Sequence, residues 1–275
     1  MRARERLFMK RSSRRRPRLG QHFLTGAWAA RALARAAEIS ENDTVLEIGP
    51  GKGALTRELL ALGAHVIAIE KDEALAEYLK TAFADDIRTG KLVLIADDIR
   101  SVSPEKLGLK RYVLAANIPY YITGEIIRMF LSTRIQPRAM VLLVQKEVAG
   151  RIVARDNKES ILSLSVKAYG TPTIVAKVSR GNFSPAPSVD SAILAITDIS
   201  TKFFDTIDEA AFFRVVRAGF SSKRKLLAGN LAKHVGSRPK ALDALTHCGV
   251  PEKARAEDVP LPKWKCLVQY VVGRT

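Results

Sequence analysis

Five short apolar runs, most of them followed by a stretch with helical spacing, limit what this chain can become. The runs cover residues 44–48, 65–69, 92–96, 112–116 and 140–144, and they are rich in Val, Ile, Leu and Ala. They are apolar throughout rather than alternating, which is the pattern of strands covered on both faces. Segments with helical spacing follow at 54–62, 73–83 and 125–131. Strand–helix alternation of this kind builds a parallel sheet with helices on either side, so the expected fold class is α/β. Two further runs, 173–179 and 192–197, have no helix between them. They are joined through Asn182-Phe183-Ser184-Pro185-Ala186-Pro187 and are expected as an antiparallel pair at one sheet edge. Ahead of the first run a helix is expected to about residue 39, with Thr25 as N-cap and Leu33, Ala36 and Ala37 on its buried face.

The pattern changes near residue 200. Segments 208–220, 223–235, 238–248 and 263–272 are all of helical period, separated by breakers such as Pro239, Pro251, Pro260 and Pro262. The expected organisation is an α/β domain over 19–200 with a mainly parallel seven-stranded sheet, and a small all-helical domain over 201–275. Residues 1–18 hold nine Lys/Arg against the single acid Glu5, with no apolar period. They read as a basic arm that binds phosphate, with a presequence or a solvated tail as alternatives.

The partner class follows from charge. The 275 residues carry 45 Lys+Arg against 28 Asp+Glu, a net charge of +17. Such an excess points to a polyanion, nucleic acid before membrane. No apolar run approaches the roughly 18 residues that would span a bilayer. Cys248 and Cys266 form no motif and suggest a reducing, cytoplasmic setting without structural disulfides. The four histidines are scattered, so no metal is expected.

The first strand runs into Glu47-Ile48-Gly49-Pro50-Gly51-Lys52-Gly53, and the second ends in Glu70. Glycines let a backbone approach a ligand where a Cβ would clash, and an acid about 20 residues on can hold a ribose diol. From this loop alone, NAD and S-adenosylmethionine both remain open. Three features favour the second. Glu47 gives the loop an E-x-G-x-G form that resembles motif I of class I (Rossmann-like) methyltransferases. Asp98-Ile99 follows the third strand, where that fold offers a carboxylate and a backbone N–H to adenine; Asp97 leaves this register open by one. The fourth strand closes with Asn117-Ile118-Pro119-Tyr120, which resembles the [N/D]-x-P-[Y/F] box of methyltransferases acting on exocyclic amines.

Longer motifs narrow the resemblance. Gly20-Gln21-His22-Phe23-Leu24, Asn117 to Thr123, Gln145-Lys146-Glu147-Val148 with Arg151, Phe183 to Ser191, and Gly219 to Leu227 with Asn230-Leu231 occur in order. Together they resemble the ribosomal RNA adenine N6,N6-dimethyltransferases of the KsgA type, from about Arg18 to the C-terminus. The resemblance implies transfer of methyl groups from S-adenosylmethionine, leaving S-adenosylhomocysteine, to two adjacent adenosines in a hairpin near the 3′ end of small-subunit rRNA. It implies an immature ribosomal subunit as partner, a role in subunit maturation, and a monomer. It also implies that His22 (where the family usually has Asn), Leu24, Glu47, Gly49, Gly51, Glu70, Asp98, Ile99 and Asn117 surround the cofactor.

An adenine N6 lone pair is delocalised into the ring and is a poor nucleophile. Acceptance of its hydrogens by the Asn117 side-chain oxygen and by a carbonyl near Ile118 or Pro119 favours a more tetrahedral nitrogen. Tyr120 is expected to stack on the base and Phe183 to form a second aromatic wall. Transfer is then an in-line displacement that rests on positioning and electrostatics. The target base must leave its stack. The RNA face is expected at Arg14, Arg15, Arg16, Arg18, Lys146, Arg151, Arg155, Lys158, Lys223, Arg224 and Lys225, the last three on a helix. Alternatives are a macrolide-resistance-type methyltransferase of large-subunit rRNA, an RNA-binding assembly or transcription factor on the same fold, and, remotely, an NAD-dependent oxidoreductase.

Overall fold

The structure, a computed structural model, describes residues 22–273, with the side chain of Tyr120 excepted. The expected RNA contacts Arg14, Arg15, Arg16 and Arg18 lie outside the described residues. In chain order the elements are β1 (Phe23–Leu24), α1 (Ala27–Ala36), β2 (Thr44–Ile48), α2 (Ala54–Ala61), β3 (His65–Glu70), α3 (Glu73–Ala82), α4 (Ala84–Arg88) and β4 (Leu92–Ala96). They continue as β5 (Val113–Asn117), α5 (Thr123–Leu131), β6 (Ala139–Gln145), α6 (Lys146–Ile152), α7 (Ile161–Lys167), β7 (Thr171–Val178), β8 (Phe183–Ser184) and β9 (Ser191–Thr197). Four helices complete the chain: α8 (Glu209–Gly219), α9 (Leu227–Val235), α10 (Arg238–His247) and α11 (Leu261–Val272).

Seven strands form one sheet in the order β4-β3-β2-β5-β6-β9-β7, parallel from β4 to β6. Strand β9 runs antiparallel between β6 and β7, which places β7 at the edge. The pleat sorts the apolar side chains. Leu46, Leu114 and Leu142 face a cluster with Ile126, Ile127 and Phe130 of α5. Val45, Val113 and Val141 face the opposite cluster with Leu33 of α1 and Leu55 and Leu59 of α2. Each such leucine removed from water is worth about 2 kcal/mol, and runs buried on both sides concentrate that gain in the central strands.

The first of these clusters continues without a break into Phe212, Val215, Leu231, Leu245 and Trp264 of the C-terminal helices. Tyr169 joins the two regions: its ring lies 5.0 Å from that of Phe204, and its hydroxyl donates to Glu209 at 2.5 Å. Gly219, at the end of α8, is required by packing, since a Cβ there would stand 2.3 Å from the Trp264 ring. Beside it the buried Asn230 donates from Nδ2 to the carbonyls of Gly219 (2.6 Å) and Ser222 (3.0 Å), which fixes the chain leading to Lys223. Asn230→Ala is expected to lower stability by about 2 kcal/mol, because two carbonyls lose their donor, as a shifted denaturant midpoint would show.

Several expectations need correction. Helix α1 is capped by Gly26 without a side-chain hydrogen bond, so Thr25 is not the N-cap, and Ala36 is only half-buried. Lys223-Arg224-Lys225 stand on a turn before α9 rather than on a helix. Leu226 remains extended as the N-cap of α9, which delays the helix to Leu227. Cys248 and Cys266 are joined by a disulfide, with Cα atoms 5.7 Å apart, where none was expected. That contact depends on how α10 packs against α11, and the spacing of 18 residues carries no sign of it. Among the described residues no helix is long and apolar enough to cross a membrane.

Candidate active site

The strand order reverses between β2 and β5, and ligands of open α/β sheets bind beyond the carboxyl ends of the strands at such a point. A cavity of about 520 Å³ lies there, lined by the ends of β2, β3, β4 and β5 and by β1. All nine residues expected around a cofactor line it: His22, Leu24, Glu47, Gly49, Gly51, Glu70, Asp98, Ile99 and Asn117. Ile118 and Pro119 line it as well. Sequence reasoning missed Phe23, Lys52, Lys71, Asp72, Leu75, Arg100 and Tyr121. Phe23 sits between two expected residues and Asp72 two places beyond Glu70, so proximity in sequence was the available signal.

Gly49 has φ +66°, and a Cβ there would meet nothing within 4 Å. Its backbone therefore borders open space, as a close-approaching ligand needs. Glu70 is buried at the end of β3, and its two oxygens accept from Gly51 N (3.0 Å) and Asp72 N (2.9 Å). A carboxylate held in this way keeps lone pairs for further donors such as a ribose diol. Glu47 is 1% exposed and accepts from Thr56 Oγ1 at 2.8 Å. Burial pushes its carboxyl up to about 8, with repulsion from Glu70 adding to the shift.

The Glu47 shift has a direction in pH. The folded state holds a proton there that the unfolded chain releases near 4.5, so the stabilisation is complete below that pH and is lost as pH rises through about 8. Glu47→Gln keeps an acceptor for Thr56 and removes the titration. Unfolding in urea at several pH values between these limits is expected to show a decline of a few kcal/mol in the parent chain and a much flatter profile in the variant.

Asp98 is held well below the usual carboxylate range by the Arg100 guanidinium and by Lys71. Arg100 Nη2 lies 2.6 Å and Lys71 Nζ 2.8 Å from Asp98 Oδ2. Asp97 is exposed, and its Oδ1 accepts from Asp98 N at 2.6 Å. Besides the protonated Glu47, the cavity wall carries four carboxylates, Glu70, Asp72, Asp97 and Asp98, against Lys52, Lys71 and Arg100. That balance suits a cation better than the pyrophosphate of a dinucleotide, whose phosphates would stand beside Glu70.

Two distant segments complete the site. Strand β1 pairs antiparallel with β8, Phe23 opposite Ser184 and Leu24 opposite Phe183. His22 Nδ1 lies 2.8 Å from the Pro185 carbonyl, which can only accept, so Nδ1 carries the proton. The Asn117 Nδ2 donates to the His22 carbonyl at 3.1 Å. This fixes the amide with its oxygen on the other side. Pro119 ends the strand, and its carbonyl accepts from Ile122 N at 3.1 Å. Tyr121 is 77% exposed at the mouth of the cavity. The Tyr120 side chain, expected to stack on a base, lies outside the described residues. Phe183 is 5% exposed and packs in the cluster with Leu24 and Leu33. It does not line the cavity, so a second aromatic wall at Phe183 is not what this arrangement presents.

Next to the cavity is a larger cleft of about 1190 Å³ between α6, α7 and the start of the C-terminal helices. It is lined by Lys146, Arg151, Arg155, Lys158 and Lys223, five of the expected RNA contacts, and by Arg180, with Glu147, Asp156, Glu159, Asp190 and Glu257 interspersed. Arg224 and Lys225 do not line it. Lys158 is engaged within the chain, paired with Asp258 and 4.0 Å from Glu257.

A seven-stranded sheet with one antiparallel strand, a glycine loop, an acid at the end of β3 and an amide–proline turn at the end of β5 define a Rossmann-like methyltransferase. A model of the ribosomal RNA adenine dimethylase family matches residues 12–271. The chain belongs to that family. Ribosomal RNA small subunit methyltransferase A of Dehalococcoides mccartyi is 42% identical over 258 residues, 93% of this chain and 88% of the relative. The protein of the same name from Moorella thermoacetica is 38% identical over 262 residues, 90% of this chain and 89% of the relative. Among solved structures, a dimethyladenosine transferase from Plasmodium falciparum superposes with a TM-score of 0.74 at 28% identity, over 90% of this chain and 96% of that one. The 23S rRNA methyltransferase ErmE does so with 0.73 at 25% identity, over 91% and 99%. Membership implies S-adenosylmethionine as methyl donor, and the glycine loop, Glu70 and the acidic wall fit that cation.

Proposed function

We propose that this protein dimethylates N6 of two adjacent adenosines in a hairpin near the 3′ end of small-subunit rRNA, within an immature subunit in the cytoplasm. The observation that carries the reading is the orientation of Asn117. With Nδ2 fixed on the His22 carbonyl, Oδ1 is left as the acceptor at the end of β5, beside the glycine loop. The Pro119 carbonyl is already engaged by Ile122, which makes the Ile118 carbonyl the second acceptor. Two acceptors set on an exocyclic amine orient its lone pair and favour a tetrahedral nitrogen. When bound, the cofactor supplies an electrophilic methyl group on a sulfonium. Asn117 and Ile118 hold the amine in line, and Tyr120 stacks on the base from the turn that Pro119 starts.

Glu70 takes the ribose hydroxyls. Asp98 and the Ile99 N–H take the adenine, with Arg100 giving way; the more buried position of Asp98 favours it over Asp97. Lys146, Arg151, Arg155 and Lys223 of the cleft hold the RNA backbone, and the helices from α8 onward act as an RNA-presenting domain over 201–275. Action as a monomer belongs to the same reading. Identity of about 40% over nine-tenths of the chain to proteins named for the small subunit favours that substrate over the large-subunit RNA of the structural neighbour.

The test is to incubate the protein with immature small subunits, free large-subunit RNA and labelled S-adenosylmethionine, then to map the product. Label on adjacent small-subunit adenosines is the expected result. Label confined to large-subunit RNA would overturn the substrate, and no label at all would favour a binding factor.

A further inference from the structure

Basic side chains also gather at the opposite end of the sheet, where no part of the methyl-transfer site lies. A groove of about 620 Å³ runs below the starts of β5 and β6 and the end of β9. Lys110, Arg111, Arg134, Arg138 and Lys202 line it, and no carboxylate does. Arg138 is held by Asp43, with Nη2 2.7 Å from Oδ2, and also donates to the Glu38 carbonyl at 2.9 Å. Asp43 also feels the charge of Arg111, and Glu105 accepts from Thr133. Lys110, Arg111, Arg134 and Lys202 are exposed and make no ion pair among the described residues. Like charges crowded around one groove repel each other unless an anion is supplied from outside.

The groove also has an approach. The Glu38 carbonyl that binds Arg138 lies just past α1, whose solvent face carries Trp28, Arg31 and Arg35. That helix starts beside Asn182 at the cofactor end, so cations mark the surface from one end of the sheet to the other. Trp28 is 53% exposed and offers a face on which a base can stack.

We infer that the groove at Lys110, Arg111 and Arg134 is a second RNA-backbone site, taking a segment of the substrate RNA distinct from the hairpin that receives the methyl groups. The inference rests on the reading of the substrate as small-subunit rRNA. Its geometry sets the division of labour. Arg111 lies six residues before Asn117, two ahead of β5, about 20 Å at strand rise. The cleft and the groove open at opposite ends of the sheet, so one straight hairpin seated in the cleft does not touch both. A large folded RNA does, and the two sites together then recognise a tertiary arrangement rather than a loop sequence.

The experiment compares the parent chain with Lys110→Glu/Arg111→Glu/Arg134→Glu. Four affinities are measured: for S-adenosylmethionine, for a hairpin oligoribonucleotide carrying the acceptor adenosines, for the immature small subunit, and for full-length small-subunit rRNA from about 50 to about 200 mM salt. Cofactor and hairpin affinities are expected to stay within about twofold, and full-length rRNA affinity to fall by about tenfold or more. The slope of log affinity against log salt is expected to flatten by about 2, as for three lost phosphate contacts. An unchanged slope and affinity for full-length rRNA would overturn the inference, as would an equal loss on hairpin and full-length RNA. Intact rRNA binding with loss of affinity for the assembled particle would point to a protein partner and overturn it too. Should the triple variant fail to bind cofactor, Lys202→Glu alone is the readout, with a slope change of about 1 expected. Failure of the parent chain to methylate small-subunit RNA would remove the activity reading while leaving this measurement intact.

Discussion

Asn117→Ala is expected to lower methyl transfer at saturating cofactor and RNA by a factor of about 100 to 1,000. That is the scale found when one preorganised electrostatic contact to a reacting group is removed. In the proposed reading the loss belongs to the chemical step, because Oδ1 would face the reacting amine and its contact would tighten as the nitrogen changes geometry. The side chain also ties β5 to the His22 carbonyl at 3.1 Å, so some loosening of the N-terminal segment will accompany the change. The check is a comparison of single-turnover rates with equilibrium affinities. RNA and cofactor binding are expected to move by no more than about threefold, a difference of well under 1 kcal/mol. Unchanged turnover would refute the assigned role, and a parallel loss of cofactor binding would show that the residue acts through the site's shape.

Glu70→Ala is expected to fail in the opposite manner. Its oxygens order the Gly51 and Asp72 N–H groups and, in the proposed reading, take a ribose diol, so truncation removes charge-assisted hydrogen bonds worth about 1.5–3 kcal/mol each. Cofactor affinity is expected to fall by about 100-fold or more, whereas the rate at saturating cofactor stays within about an order of magnitude. A calorimetric titration with S-adenosylhomocysteine gives the affinity without turnover. If binding is unaffected, the acid at the end of β3 has another task. The two variants therefore separate positioning of the amine from binding of the cofactor.

How much of this was legible in the sequence depended on the range of the interactions. The central parallel strands were readable because they bury both faces, and β2 and β4 begin and end where their apolar runs do. Strand β4, at the sheet edge, leaves Val93 and Ala96 exposed, so its run is not covered on both faces as expected. The order of the elements placed the glycine loop, Glu70, Asp98 and Asn117 at carboxyl ends, and the cavity collects all of them. Helix α7 was not readable from period alone. Its sequence Ile161-Leu162-Ser163-Leu164-Ser165-Val166 partly alternates like a strand, yet Ser160 and Ser163 form a capping box and a Ser163–Glu159 hydrogen bond of 2.6 Å satisfies the buried hydroxyl. The disulfide, the pairing of β1 with β8 and the His22–Pro185 contact all join residues through tertiary packing. No local pattern encodes them. The basic triplet at Lys223 was correctly seen as charge and wrongly given a helix, because propensity does not reveal that Asn230 fixes the preceding turn.

The pairing of β1 with β8 has a consequence for synthesis on the ribosome. Phe23 and Leu24 emerge early, but their strand partners, Phe183 and Ser184, come about 160 residues later. Strand β7 likewise waits for β9, its neighbour in the sheet, which follows it in the chain. The donor pocket therefore closes only after most of the polypeptide has been made. A nascent or truncated chain lacking β8 and β9 has the glycine loop and Glu70 but no fixed His22 against which Asn117 is held. In the proposed reading, full affinity for the methyl donor is therefore expected only once the α/β region is complete.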